Sequence, residues 1–500
     1  MKFIVKWRWE LLSPFAGLLL TFAFAPFNYS YLAIVSLVFI FSAWLNCSAR
    51  RAALRGYLYG LGLFGSGISW VFVSIHDYGG APLTGAILLT LAIICFWSLF
   101  PALTAYISYK ITPVRHKNQV LWVIPLVWVL VEYYRGYWFL NGFPWLQIAY
   151  TQIDTPLKGF IPIMGVYGTG FLLALTVALV VSGIKRTVKY QNVFIVVILL
   201  WGVGEYLTTI KWTHAIGKPV DVALIQGNVP QDQKWLAANR VKTLVNYREM
   251  TELHWDADIV IWPETAIPAY LSQVKKFYLE PLSAAAKQNN TDLIVSLPAR
   301  GENKEFYNTV LTLGKNEAQY NKNHLLPFGE YLPLQPLSGY ILDSLGIHLG
   351  NFTSGGNEQS LLKAGGYPFS TSICYEDAFG SEAIRGMPEA AFLLNVTNDA
   401  WFGNSIEPHQ HMQIAQMRAL ETGRYMLRAT NTGVTAIVSP DGRIKNRAPV
   451  FKQFVLTGSI IPMGGLTPYA YLGDGIIVSI LVFCLVLLAV VFTYRSKNNA

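Results

Sequence analysis

Apolar runs of bilayer length crowd the first 210 residues of this chain and return once near its end. A hydrocarbon core of roughly 30 Å is crossed by about 20 helical residues. On that ground about eight spans are predicted, at roughly 11–27, 30–46, 57–75, 83–109, 119–134, 162–184, 191–210 and 469–493. The first two are short and joined tightly through Pro26-Phe27-Asn28-Tyr29, as in a helical hairpin. Only 13% of the residues are charged while 53% are hydrophobic, about half the charged share of an ordinary soluble domain. The chain therefore reads as a polytopic α-helical membrane protein.

Orientation follows from Lys and Arg, which accumulate beside span ends on the cytoplasmic side. Lys2, Lys6 and Arg8 precede the first span. Arg50, Arg51 and Arg55 lie between the second and third, and Lys110, Arg115 and Lys117 between the fourth and fifth. Lys185, Arg186 and Lys189 separate the sixth and seventh, and Arg495 and Lys497 follow the eighth. The opposite connections are nearly bare, with Arg135 and Lys158 between spans five and six. Both termini are thus expected in the cytoplasm, with residues 211–468 outside. These topology signals account for most of the net charge of +9, so no nucleic-acid partner is needed to explain it.

The basic start, apolar run and Ala23-Phe24-Ala25 imitate a cleavable leader. Pro26 at the following position and the second apolar run favour a retained anchor. Cys47, Cys95 and Cys484 sit in or at the ends of apolar spans, which leaves Cys374 without a disulfide partner in the exterior region. An unpaired thiol in an oxidising compartment is a liability unless it is buried or used.

At Lys211 the composition turns to a mixed polar pattern that lasts to about Gly464, long enough for a domain with its own core. The expected organisation is a membrane domain over 1–210 with seven spans, an exterior domain over 211–468, and a last span with a short tail over 469–500. Within the exterior domain, Val222-Ala223-Leu224-Ile225, Ile259-Val260-Ile261-Trp262, 293–297, 369–373 and 392–396 read as buried strands. Residues 232–254, 275–289 and 407–422 read as helices. The pairs 308–313 with 318–322, and 434–438 with 443–446, read as hairpins turning at Gly314-Lys315-Asn316 and Pro440-Asp441-Gly442. Alternating β and α elements with hairpins point to a layered α/β domain.

Three short motifs in this domain carry chemistry. Ile259-Val260-Ile261-Trp262-Pro263-Glu264 offers a carboxylate where a strand gives way to a proline turn. Asn321-Lys322-Asn323-His324-Leu325-Leu326-Pro327-Phe328-Gly329-Glu330 offers a lysine and, eight residues on, a second carboxylate. Ser372-Ile373-Cys374-Tyr375-Glu376-Asp377 places the thiol at a strand end. Taken singly, such residues are usually a turn carboxylate, a solvated lysine and a packed small side chain. In this order and context Glu264, Lys322 and Cys374 resemble the catalytic set of the nitrilase superfamily, which runs acyl transfer through a cysteine thioester. The resemblance implies an αββα sandwich for the exterior domain. It gives Glu264 the role of base, Lys322 that of oxyanion stabiliser and Cys374 that of nucleophile, with Glu330, Tyr375 and Glu376 orienting the lysine and the thiol.

Soluble members of that superfamily need no membrane helices. The spans that bracket the domain, Gln226-Gly227-Asn228-Val229-Pro230-Gln231 leading to Trp235, and Asn398-Asp399-Ala400-Trp401-Phe402-Gly403 look like the apolipoprotein N-acyltransferase family over essentially the whole chain. That resemblance implies a multi-pass protein of the bacterial inner membrane with a periplasmic catalytic domain. It implies a phospholipid acyl donor, a diacylglyceryl-modified apolipoprotein acceptor and ping-pong kinetics, with no cofactor, metal or nucleotide. An ester donor is more reactive than the amide product, and the sequence holds no Walker-type phosphate loop.

Two further expectations concern access. Leu334 to Gly356 is unusually apolar for an exterior loop, through Leu334, Leu337, Tyr340, Ile341, Leu345 and Ile347. Glycines at 339, 346, 350, 355 and 356 suit a mobile arm that admits lipid chains. Trp235 and Trp401 are candidates to line the acyl entrance. Two other readings stay open: a membrane-tethered amidase would share the same three residues, and a transporter with an exterior binding domain would carry paired charges inside several spans.

Overall fold

A computed structural model of the chain describes residues 2–112, 119–336, 338–340 and 351–498. Arg115 and Lys117 of the orientation argument lie outside the described residues, as do Leu337, Ile341, Leu345, Gly346, Ile347 and Gly350 of the predicted arm. The chain divides into two compact units. One comprises the described parts of 1–72, 83–210 and 472–500; the other comprises Val73–Pro82 and Lys211–Tyr471.

The first unit is helical: α1 (Lys2–Thr21), α2 (Tyr31–Ala43), α3 (Ala49–Gly67), α4 (Leu83–Trp97), α5 (Leu99–Ile111), α6 (Val120–Tyr133), α7 (Ile161–Ile184) and α8 (Tyr190–Leu207). The last helix, α12 (Pro468–Asn498), contributes its part from Leu472 onward. Among the described residues, four stretches are long and apolar enough to cross a membrane, namely Leu83–Ile111, Pro156–Ile184, Tyr190–Leu207 and Pro468–Tyr494. A fifth is added if the bent pair Ala49–Gly67 and Val71–Tyr78 is one span. The other predicted spans are helical but fall short of that standard for separate reasons. Helix α2 has 13 residues, about 20 Å at 1.5 Å per residue. Helix α1 begins at Lys2 instead of residue 11 and so takes in Lys6, Arg8 and Glu10.

Small residues and ion pairs bring these helices together. A Cβ on Gly62 would lie 1.8 Å from the Pro14 carbonyl oxygen, and one on Gly17 would lie 1.9 Å from that of Tyr59. Helices α1 and α3 thus touch backbone to backbone, as small residues allow among apolar helices. Glu10 joins the same pair through Arg55 at 2.9 Å and Arg51 at 2.5 Å.

The second unit is built on two six-stranded sheets. The first holds β1 (Val220–Gln226), β2 (Ile259–Ile261), β3 (Asp292–Arg300), β4 (Phe306–Leu313), β5 (Ala318–Asn321) and β12 (Phe454–Ile460), in the order β12-β1-β2-β3-β4-β5. The second holds β6 (Leu362–Ala364), β7 (Tyr367–Ile373), β8 (Phe392–Thr397), β9 (Met426–Thr430), β10 (Ala436–Val438) and β11 (Ile444–Arg447), in the order β11-β10-β9-β8-β7-β6. Three central strands in each sheet run parallel, β1-β2-β3 and β7-β8-β9, and the outer pairs are antiparallel.

Side chains alternate across a strand, and here both faces are covered, which is why the central strands read as unbroken apolar runs. Leu224, Ile261 and Ile294 meet Phe369, Ile373, Leu394 and Leu427 between the sheets. On the outer face of the first sheet, Ile225, Val260, Leu293 and Val295 pack with Tyr247 and Leu282 of α9 (Ala237–Glu252) and α10 (Glu280–Gln288). On that of the second, Leu393, Met426 and Val438 pack with Met412, Ala415 and Ala419 of α11 (Glu407–Thr422). The layers are α, β, β, α.

The five expected strands and both hairpins are present with shifted ends. The helix expected over 232–254 is broken into Gln231–Lys234 and Ala237–Glu252. Leu236 is extended there, so that Lys234 points inward and Trp235 outward. The helix expected over 275–289 opens with a π turn, Lys275–Leu279, before α10.

Gly62→Ala tests the close crossing. It should lower the thermal unfolding temperature of the detergent-solubilised protein, by the equivalent of about 1–3 kcal/mol, because the Pro14 carbonyl it would meet is rigid main chain. Gly202→Ala, where a Cβ meets nothing within 4 Å, should leave that temperature unchanged or raise it slightly.

Candidate active site

Each functional side chain sits just beyond a strand end, where the backbone leaves the ladder and a side chain is free to face the cleft. Trp262 still donates its N–H to the Ile294 carbonyl (2.9 Å); Pro263 then ends β2 because it has no N–H to offer. Glu264 follows, almost fully buried. Its Oε1 accepts from the Asn308 amide of β4 at 2.7 Å. Lys322 is the first residue after β5, and its N–H donates to the Asn308 carbonyl at 2.8 Å. Asn308 thus ties the carboxylate to the strand that delivers the lysine.

Lys322 is buried, and its ammonium meets Glu330 Oε2 at 2.7 Å. The same carboxylate accepts the Leu326 N–H (2.9 Å) and the Asn308 amide (3.4 Å). Burial works against the lysine's charge, but Glu330, then Cys374 and Glu264, outweigh it and hold the ammonium well above its usual range. Glu376 is fully buried between the two catalytic strand ends. It accepts the N–H groups of Asn323 (2.7 Å), His324 (2.9 Å) and Ile373 (2.7 Å), and the Tyr320 hydroxyl (2.9 Å). It therefore pins the two residues after Lys322 and the one before Cys374. Burial, then Glu382, pushes its carboxyl up to about 7, against the pull of Lys322 and of the His324 and Ile373 N–H groups. Tyr375 packs edge-on against Phe379 with ring centroids 5.3 Å apart.

Cys374 ends β7 with φ of +51°, a left-handed conformation costly for a residue with a Cβ. The Asn395 amide holds its carbonyl at 3.1 Å, and Arg428 holds the Asn395 oxygen at 2.6 Å. Cys374 as a residue is half-buried. Burial, then the Glu264 carboxylate, pushes it well above its usual range, while Lys322 and a hydrogen bond with Thr397 pull it down. Burial likewise raises Glu264, with Lys322 opposing. At rest the cleft holds a protonated thiol beside a carboxylate and an ammonium, the parts that acyl transfer through sulfur requires.

Beneath the thiol lies a charge network that the sequence reading missed. Arg428 bonds Asp377 at 2.9 Å and Asp399 at 3.2 Å. His411 bonds the same two carboxylates at 2.8 and 3.0 Å. Glu407 stands 3.5 Å from the imidazole. Asp399, Glu407 and His411 lie close enough together to hold a metal ion, but both imidazole nitrogens already donate to carboxylates. Burial and Arg428 work against a charge on His411, yet Asp377 and Asp399 outweigh them and hold it up to about 10. Burial, then Asp399, pushes Glu407 well up.

Of the predicted entrance residues, Trp235 is 50% exposed and Trp401 is 40% exposed. Trp401 meets the Tyr78 ring edge-on at 6.1 Å. Leu334 and Tyr340 of the predicted arm are exposed, whereas Ser338 is buried.

Comparison with known sequences gives two consecutive family matches, "Apolipoprotein N-acyltransferase N-terminal domain" over residues 16–179 and "Carbon-nitrogen hydrolase" over 221–466. The apolipoprotein N-acyltransferase of Methylococcus capsulatus is 47% identical over 98% of this chain and 96% of its own length. The chain belongs to the apolipoprotein N-acyltransferase family. Other apolipoprotein N-acyltransferases lie close as well: that of Photobacterium profundum is 40% identical over 93% of this chain and 91% of its own. That of Nitrosomonas europaea is 39% identical over 94% and 95%.

The charge network predicts a pH dependence of stability. His411 is held above its ordinary value near 6.5, so its contribution is complete below that pH and is lost as pH rises through about 10. The thermal unfolding temperature should decline over this window, and less steeply in His411→Gln.

Proposed function

We propose that this chain moves an acyl chain from a membrane phospholipid, through a thioester on Cys374, to the N-terminal α-amino group of a diacylglyceryl-cysteine on an apolipoprotein. The observation that carries the reading is the convergence of Cys374, Glu264 and Lys322 in one buried cleft. Family membership supports the class of reaction, acylation of lipoproteins. The apolar helices support a membrane location; eight spans, cytoplasmic termini and a periplasmic domain over 211–468 complete the proposed topology. The inner membrane of a bacterium is the proposed site.

In the first half-reaction Glu264 takes the Cys374 proton as sulfur attacks the ester carbonyl. The tetrahedral oxyanion develops opposite the Lys322 ammonium, which Glu330 keeps charged and fixed. As the intermediate collapses, the carbon–oxygen bond breaks and Glu264 returns its proton to the departing lysophospholipid. In the second half-reaction a neutral amine attacks the thioester; an α-amino group titrates near 8 and is partly neutral at physiological pH. Glu264 takes the amine's proton and passes it to the sulfur as the carbon–sulfur bond breaks. Ester to thioester to amide needs no nucleotide, and every proton passes through Glu264. Glu376 and Tyr375 support the strand ends that present Lys322 and Cys374. Trp235, Trp401 and the 334–356 arm are the proposed acyl entrance.

Purified protein incubated with phospholipid should gain an acyl mass on the Cys374 peptide, released by neutral hydroxylamine and absent from Cys374→Ala. Folded protein that stays unmodified, or that releases fatty acid to water without acylating a lipopeptide, would point to an amidase-like hydrolase. The acylation rate should rise with pH along a limb set by Glu264, which works ionised and whose carboxyl lies above the ordinary 4.5. Glu264→Gln should abolish both the limb and most of the rate, by roughly 10²–10⁴-fold.

A further inference from the structure

The residue that follows Glu264 is in a strained conformation: Thr265 has φ of +49°. The peptide unit joining the two is gripped from both sides. Its N–H, on Thr265, donates to Ser296 Oγ at 3.0 Å, and its carbonyl, on Glu264, accepts from the Lys234 ammonium at 3.2 Å. Lys234 ends the short helix Gln231–Lys234 and is only 3% exposed. At the other end of that helix Gln231 accepts the Asn398 amide at 2.7 Å, which anchors it to the loop after β8. A buried ammonium is costly to keep unless a counter-charge answers it. Among the described residues, Glu264 is the charge that acts on Lys234.

We propose that Lys234 is a positioning residue for the reaction, one that orients Glu264 through its main-chain carbonyl and supplies the second cation that keeps the Glu264 carboxylate ionised as base. The inference rests on Glu264 acting as base in the reading above. Glu264 is faced by Lys322 from the end of β5, Glu330 from the loop beyond it, Asn308 from β4, Cys374 from the end of β7, and Lys234. With both lysines present, two ammonium groups balance two carboxylates. Without Lys234, Glu264 and Glu330 would share Lys322 alone, which already pairs with Glu330 at 2.7 Å. The extra proton would go to Glu264, and a protonated Glu264 cannot accept the thiol proton. Burial lowers Lys234 to about 8, with Glu264 pulling the other way, so the cation is present through neutral pH.

The test is the pH profile of Cys374 acylation in full-length, detergent-solubilised protein, with an equal mixture of synthetic phosphatidylethanolamine and phosphatidylglycerol as donor. Lys234→Gln keeps a donor for the Glu264 carbonyl but not the charge. Its acid limb should move up by about one pH unit, which is about tenfold in rate below the limb, while the rates converge at alkaline pH. Lys234→Arg should restore the wild-type limb, and Lys234→Met replaces Lys234→Gln if the latter does not fold. A purely structural role would instead depress the rate evenly across pH with the limb unmoved, and that result overturns the proposal while leaving the thioester reading intact. Wild-type protein that forms no thioester on Cys374 overturns the reading beneath it.

Discussion

An ammonium can stay charged inside a protein only where carboxylates answer it, and the arrangement around Cys374 depends on one such pair, Lys322 with Glu330 at 2.7 Å. The two groups arrive from opposite ends of one connection, and Asn308 touches both carboxylates that face the lysine. Breaking a buried pair on one side leaves a charge uncompensated, at a cost of about 3–5 kcal/mol. The Lys322–Glu330 bond therefore fixes the loop after β5 as firmly as it prepares an electrostatic site for an oxyanion.

The sheets explain why those groups meet. Glu264 and Lys322 come from strand ends of the first sheet and Cys374 from the second, and the apolar faces of the two sheets are pressed together by Leu224, Ile261, Ile373 and Leu394. A proposed catalytic set divided between two layers is only as well placed as their packing. Glu376 strengthens the join, since it accepts N–H groups from the residues after Lys322 and from the one before Cys374. A second join is electrostatic: Arg428, at the centre of the second sheet, reaches the Cys374 carbonyl through Asn395.

Much of this was legible in the sequence because buried parallel strands and strand-end motifs leave local marks. The apolar runs at 222–225, 259–262 and 392–396 announced central strands, and a thiol, a carboxylate and a lysine next to such runs announced a cleft. What local pattern could not reveal were residues whose meaning is tertiary. Met426–Thr430 did not read as a strand because Arg428 interrupts it, and Arg428 is tolerated there only because Asp377 and Asp399 neutralise it. Asn308 looked like an ordinary hairpin residue. Lys234 lay inside what read as one long helix, and only the break at Trp235–Leu236 turns it inward. The start of the first helix was hidden for the converse reason: helix α1 continues through Lys6, Arg8 and Glu10, since charges at a helix end do not stop a helix whose Glu10 is paired with Arg51 and Arg55.

The resting charge state bears on how a lone thiol can persist in the proposed exterior location. Only the thiolate is strongly nucleophilic and readily oxidised. Burial and the Glu264 carboxylate hold Cys374 as a thiol, so the carboxylate proposed as base also keeps the sulfur unreactive at rest. In the proposed mechanism the balance reverses once an ester carbonyl lies against the sulfur, because proton transfer to Glu264 would then be coupled to formation of an oxyanion that Lys322 would stabilise. The energy that ionises the thiol comes from the transition state and is not stored at rest. A site with a permanently ionised cysteine would reach the same chemistry with a nucleophile exposed to every oxidant. On the proposed mechanism, this site makes its nucleophile only in the presence of something to attack.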